Sequence, residues 1–141
     1  MSAPEIIHAS CVAIGGRGVL LSGRSGTGKS DLTLRLLDRG AVLVSDDYTC
    51  LRVDDGRLRA SAPPTIAGKL ELRGVGILDM ACAGEVPVCL LVDLDDHPVR
   101  LPEPRARALA GIVVPLVSLN ALEASAPIKV ELALSRFGLP T

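Results

Sequence analysis

The sequence predicts an α/β domain built on a mixed sheet with few helices. Three observations carry that prediction. Short apolar runs without helical period recur along the chain, bounded by glycine, proline or aspartate. Only two stretches, 30–39 and 125–136, read as helices. One of these is entered from a strand through a glycine-rich loop, the junction that α/β sheets use to place a ligand.

The elements follow in order. Residues 6–14 (IIHASCVAI) and 19–22 (VLLS) are strands joined by the turn Gly15-Gly16-Arg17-Gly18. Residues 30–39 (SDLTLRLLDR) form a helix: Leu32 and Leu36 fall one turn apart, as do Thr33 and Leu37, and Gly40 suits a left-handed stop. A buried strand (AVLVS, 41–45) ends at Asp46-Asp47. TCLRV and RLRAS flank the turn Asp54-Asp55-Gly56 as a hairpin. Residues 65–76 carry three glycines and read as a mostly irregular loop, 86–94 (VPVCLLVDL) as a buried strand, 95–107 as a proline- and charge-rich surface segment, and 112–119 (IVVPLVSL) as another strand. Ser125 is the expected N-cap of the last helix, with Pro127 in its first turn and an end near Arg136.

The chain has 141 residues, the length of a single domain, and we read 1–141 as one unit. Its formal net charge of −1 gives no electrostatic preference for nucleic acid or an anionic membrane. Tyr48 and Phe137 are the only aromatic side chains, too few for a base-stacking platform. No apolar run approaches the roughly 18 residues of a membrane span, and no basic-then-apolar leader opens the chain. The four cysteines form no C-x-x-C pair and read as small buried hydrophobes in a reducing compartment. The expectation is a cytoplasmic protein.

The chemistry is concentrated in residues 23–30, Gly23-Arg24-Ser25-Gly26-Thr27-Gly28-Lys29-Ser30. Every fixed position of the Walker A pattern is present, after a strand and before a helix. The glycines let successive N–H groups converge on phosphate oxygens, and the helix N-terminus adds its positive end. Lys29 places a charge on the β/γ-phosphates and the Ser30 hydroxyl reaches Mg²⁺. ATP with Mg²⁺ is therefore the expected ligand. Asp46-Asp47, closing a strand behind this loop, supplies two carboxylates that an extended chain points to opposite sides. One can hold the metal while the other takes a proton from an incoming hydroxyl. A like-charged neighbour and partial burial raise a carboxylate's pKa, which suits such a base.

These residues, with His8 on the preceding strand, the stretch R-G-A-V-L-V-S-D-D and K-L-E-L-R-G-V-G-I (69–77), resemble the catalytic domain of HPr kinase/phosphorylase. The resemblance covers roughly residues 8–80. Enzymes of that family use ATP to phosphorylate a regulatory serine of HPr, the phosphocarrier of the sugar phosphotransferase system, and many reverse the reaction with inorganic phosphate. It implies a P-loop kinase domain of the HPr kinase/phosphoenolpyruvate carboxykinase-like fold. It also implies HPr or an HPr-like carrier as partner, and roles for named residues. Asp47 is then the general base, Asp46 lies near the metal, Glu71 is a further Mg²⁺ ligand beside Ser30, and His8 and Arg100 are active-site residues. Read alone, His8 is a structural histidine, Glu71 and Arg73 a surface pair, and Arg100 a solvated arginine.

The chain resembles a short form without the family's additional N-terminal domain. The family's Pro-Gly-Arg/Lys-Asn loop has no counterpart in VPLVSLNALEASAPIK, which counts against phosphorolysis. A shortened C-terminal helix leaves the family's hexameric assembly open. Two rival readings share the P-loop: an ATP-binding regulatory sensor without transfer, and a small-molecule kinase.

Overall fold

The computed structural model describes residues 4–141. Eleven strands and two helices follow one another as β1 (Glu5–Ile7), β2 (Ala9–Ile14), β3 (Arg17–Ser22), α1 (Lys29–Asp38), β4 (Val42–Ser45), β5 (Thr49–Asp54), β6 (Arg57–Ser61), β7 (Lys69–Leu72), β8 (Gly76–Asp79), β9 (Val86–Asp93), β10 (Arg105–Leu109), β11 (Ile112–Ser118) and α2 (Ala126–Phe137). The expected mixed sheet with few helices is what forms.

β9 organises the sheet. β3 runs parallel along one side of it, from Gly18 opposite Val88 to Ser22 opposite Asp93. On the other side the start of β9 pairs antiparallel with β6 and its end pairs parallel with β11. The sheet therefore forks at β9. One branch continues through β6, β5 and β1, the other through β11 and β10, while β2 and β4 extend it beyond β3.

Alternation along the central strands fills two cores. Val12, Val19, Leu21 and Val92 meet Leu32 and Leu36 of α1 and Val130 and Leu134 of α2. Cys11, Leu20, Leu91, Leu51, Leu58 and Leu116 fill the opposite face, inside the curl of the sheet. Among the fully buried leucines, each about 2 kcal/mol on transfer from water, Leu20 and Leu21 lie on β3, Leu90 on the neighbouring β9, and Leu32 and Leu36 on α1, either side of the glycine-rich loop. That loop thus hangs between two firmly buried elements.

Several expectations change in detail. The strand expected over 6–14 breaks at His8, where the chain leaves β5 for β3 and β4. Residues 69–79 are a two-stranded hairpin, β7–β8, and not a loop. Gly68, Gly74 and Gly76 have φ of 74°, 87° and 107°, so the glycines sit at the hairpin's ends and turn, leaving Lys69–Leu72 free to alternate. Leu70 and Leu72 are buried against Leu43. The 95–107 surface segment is exposed, but its last residues, from Arg105, pair as β10 with β11. Ser125 precedes α2 as expected, yet its hydroxyl makes no capping bond. Cys11 and Cys89 are buried, whereas Cys50 is half-buried and Cys82 exposed, so the cysteines are not four core residues.

Two other local signals hold. Asp55 and Gly56 have φ of 52° and 73°, the left-handed pair that closes a two-residue hairpin between β5 and β6. After α1 the amides of Gly40 and Ala41 donate to the carbonyls of Leu37 and Leu36, a Schellman stop around a glycine at φ 106°.

Candidate active site

The loop from Gly23 to Gly28 runs from the end of β3 into the N-terminus of α1. Gly28 is the helix N-cap at φ 94°, and Gly26 has φ 89°. A Cβ on Gly28 would also stand 3.0 Å from Leu122 Cδ2 and 3.3 Å from Ala121 Cβ, in the turn before α2. Gly23 has no such freedom to lose in φ. Its constraint is space, because a Cβ there would come within 2.7 Å of Thr27 Oγ1 and 3.1 Å of Leu94 Cβ. The Thr27 hydroxyl and amide both donate to the Arg24 carbonyl, at 2.8 and 3.2 Å.

The loop's outer strut was not visible in the sequence. Asp95, just past β9, accepts the Arg24 amide at 3.0 Å and the Arg24 Nε at 3.1 Å on Oδ1. The amide bond and the Arg24 charge hold the Asp95 carboxyl below the usual carboxylate range. Its signal was position: β9 runs parallel to the strand that feeds the loop, so an acid ending β9 must lie beside the loop.

Lys29 opens α1 and turns back into the site, buried to 6% exposure. Its Nζ donates to the Gly23 carbonyl at 3.0 Å and stands 3.0 Å from Asp47 Oδ1. His8 Nε2 lies 2.8 Å from the same oxygen and 3.1 Å from Nζ, closing a triangle. An ionised Asp47 satisfies two sides of it by accepting from both Nζ and the Nε2–H tautomer. Asp47 Oδ2 makes no hydrogen bond to the described residues. His8 also faces Tyr48, with ring centroids 5.1 Å apart. The break in the first expected strand is what points His8 here.

The two aspartates differ more than the sequence suggested. Burial pushes the Asp47 carboxyl up, but the hydrogen bonds and charges of Lys29 and His8 outweigh burial, and its pKa falls below the ordinary value. Burial raises the pKa of Asp46. The Glu71 amide offsets part of this, the charges of Asp47 and Glu71 add to it, and Lys29 pulls the other way. The raised carboxylate expected for a base is thus Asp46, and Asp47 is the one held toward its ionised form.

Asp46 Oδ2 accepts the Glu71 amide at 3.1 Å, which fastens β7 to the end of β4. Its Oδ1 is buried with no partner. A buried carboxylate oxygen left bare is what a divalent cation satisfies, so the donor set fits Mg²⁺. Asp46, Asp47 and Glu71 line one pocket of about 210 Å³ with Tyr48, Lys69 and Ile77. Glu71 is exposed there, and Ser30 stands in the first turn of α1. Among the described residues no three histidine, cysteine or acidic side chains converge to hold a metal unaided. An all-oxygen cation that keeps waters and substrate oxygens needs no such cage.

Arg100 is not brought to this triangle. It is exposed in the segment after β9 and lines a separate groove of about 230 Å³ with Pro98, Lys129 and Phe137.

The first 85 residues match the family model described as the HPr Serine kinase C-terminal domain. The chain belongs to this family. HPr kinase/phosphorylase of Clostridium botulinum (strain Eklund 17B / Type B) is 44% identical over 79 residues, covering 55% of this chain and 26% of that protein. The HPr kinase/phosphorylase of Caldanaerobacter subterraneus subsp. tengcongensis is 43% identical over 97 residues, covering 65% of this chain and 32% of that protein. The chain therefore matches about a quarter to a third of the length of these HPr kinase relatives. The structure of the Hpr(Ser) kinase/phosphatase from Coxiella burnetii superposes with a TM-score of 0.82 at 28% identity, over 94% of this chain and 95% of that one. Among the described residues no helix is long and apolar enough to cross a membrane.

Proposed function

We propose that this HPr kinase family member is an ATP- and Mg²⁺-dependent kinase that phosphorylates a serine of HPr or an HPr-like carrier. The observation that carries the proposal is the Lys29–Asp47–His8 triangle at the mouth of the glycine-rich loop. A lysine for the phosphates and a carboxylate for the acceptor's proton stand 3.0 Å apart, with one carboxylate oxygen still free.

The N–H groups of 25–30 and the start of α1 bind the ATP phosphates, and Lys29 balances charge on the β- and γ-groups. The serine oxygen attacks the γ-phosphorus as the bond to the bridging oxygen of ADP breaks, and Asp47 takes the serine proton. Asp46, Ser30 and Glu71 would hold Mg²⁺, which when bound would neutralise phosphate charge. The triangle suggests how Asp47 becomes a competent base. When Lys29 moves from Asp47 to the incoming phosphates, Asp47 loses the stronger of the bonds that depress its pKa. His8 keeps its carboxylate aimed. Arg100 joins this chemistry only if the segment after β9 carries it across to the phosphates, in which case Arg100→Ala lowers kcat without changing ATP affinity.

The test is transfer from labelled ATP and Mg²⁺ to the HPr encoded in the same genome, with Lys29→Ala as control. Label on an HPr serine with wild type alone supports the proposal. ATP binding without transfer to any HPr supports the sensor reading, and label on a metabolite with HPr untouched supports the small-molecule kinase.

A further inference from the structure

Asp47 has an uncommon backbone. Its φ is +66°, and the amide of Tyr48 donates to the carbonyl of Asp46 at 2.7 Å, so Asp47 is the centre of a three-residue turn. Turns of this hand are strained for any residue with a Cβ, and such strain persists only where surrounding contacts enforce it. Two contacts enforce it here. The Ser45 hydroxyl donates to the Tyr48 carbonyl and closes the outside of the turn. The Asp47 amide donates to Ser10 Oγ at 2.9 Å.

Ser10 is the second residue of β2 and is fully buried. Its neighbours Ala9, Cys11 and Val12 are apolar and equally buried. A hydroxyl in such a strand is costly unless it has a partner, and the partner here is the main chain of Asp47.

We propose that Ser10 is a positioning residue: its hydroxyl holds Asp47 in the positive-φ turn and so aims the carboxylate at Lys29 and His8. The inference rests on the phosphotransfer reading above. Without the acceptor at position 10 the Asp47 amide has no partner in the core, and the turn relaxes toward a negative φ. That swings the carboxylate off Nζ and away from where an acceptor hydroxyl must arrive. Displacements of about 1 Å in such groups lower rates by roughly 100-fold. ATP affinity, which depends on Lys29 and the glycine-rich loop, stays as it was.

The experiment compares Ser10→Ala, Ser10→Cys and Ser10→Thr. Cysteine fills the space but is a poor acceptor, which guards against a simple folding defect, and threonine keeps the hydroxyl. The expected result is a kcat lowered roughly 10- to 100-fold in the alanine and cysteine variants. Their affinity for ATP stays within about twofold of wild type, and threonine recovers most of the rate. Crystal structures of wild type and Ser10→Cys, both nucleotide-free, should show Asp47 Oδ1 leaving hydrogen-bond distance of Lys29 Nζ only in the variant. Unchanged kcat, ATP affinity falling as far as kcat, or an unmoved Asp47 overturns the inference. If wild type transfers no phosphate to any HPr, the phosphotransfer reading falls, and the pair of crystal structures alone decides whether Ser10 positions Asp47.

Discussion

Replacing Asp46 by asparagine should stabilise the metal-free fold while removing its response to Mg²⁺ and nucleotide. Asp46 is buried, Oδ1 has no partner, and Oδ2 has only the Glu71 amide. A buried polar group left unsatisfied costs about 1–3 kcal/mol, more when charged. The attraction of Lys29 and the bond to Glu71 offset part of that here, so neutralising the side chain should return about 1 kcal/mol. Asparagine retains an oxygen for the Glu71 amide. In a domain of this size 1 kcal/mol moves Tm by roughly 3 °C. The pH dependence carries the sign. The folded pKa of Asp46 lies above its ordinary 3.8, so the penalty is absent at pH below that value, where both forms are neutral. It grows as pH rises through the folded pKa, and the gap between variant and wild type opens in that window. The assay is calorimetry in chelator at pH 7.5 and at the lowest pH where both fold, repeated with Mg²⁺ and ATP. A variant that melts below wild type at pH 7.5, or a gap that does not narrow in acid, would refute the reasoning.

Other substitutions separate the parts of the site. Lys29→Ala should abolish transfer and weaken ATP binding, whereas Asp47→Ala should abolish transfer and leave binding intact; titration with a fluorescent ATP analogue distinguishes them, and equal losses of affinity contradict the role given to Asp47. Gly28→Ala forces φ 94° on a residue with a Cβ and should cost about 1–2 kcal/mol locally, read as a roughly tenfold weaker ATP affinity or more, with little change in the denaturation midpoint of the distant hairpin β5–β6. Leu36→Ala, at a fully buried position between α1 and the sheet, should lower stability by about 2–5 kcal/mol in urea melts while the folded fraction keeps its ATP affinity.

What the sequence revealed and what it withheld divide along a physical line. The glycine-rich loop, the helix stop at Gly40 and the Asp55-Gly56 hairpin are local: each depends on residues adjacent in the chain, so pattern alone locates them. The β7–β8 hairpin escapes the pattern because its glycines look like interruptions of a segment that they delimit. Asp95 and Ser10 were missed for a different reason. Asp95 meets Arg24 across 71 positions of sequence and Ser10 meets Asp47 across 37, and each contact exists only because parallel and antiparallel strands bring distant ends together.

The aspartate pair shows why residue type and spacing do not fix a residue's electrostatics. Adjacent carboxylates in an extended chain would share their repulsion and both be raised. The chain is not extended at Asp47. Its positive φ turns the second carboxylate out of the pocket floor and onto Lys29 and His8, while the first stays beneath β7 against an amide. One charge is thereby compensated and the other left bare, which in the proposed mechanism suits Asp47 to exchange a proton and Asp46 to hold a cation. The bare Oδ1 of Asp46 is left as a buried acceptor without a partner, in the pocket that Glu71 also lines. In the proposed kinase a cation carrying its own waters and phosphate oxygens would take that oxygen as its anchor, with Ser30 and Glu71 as further donors.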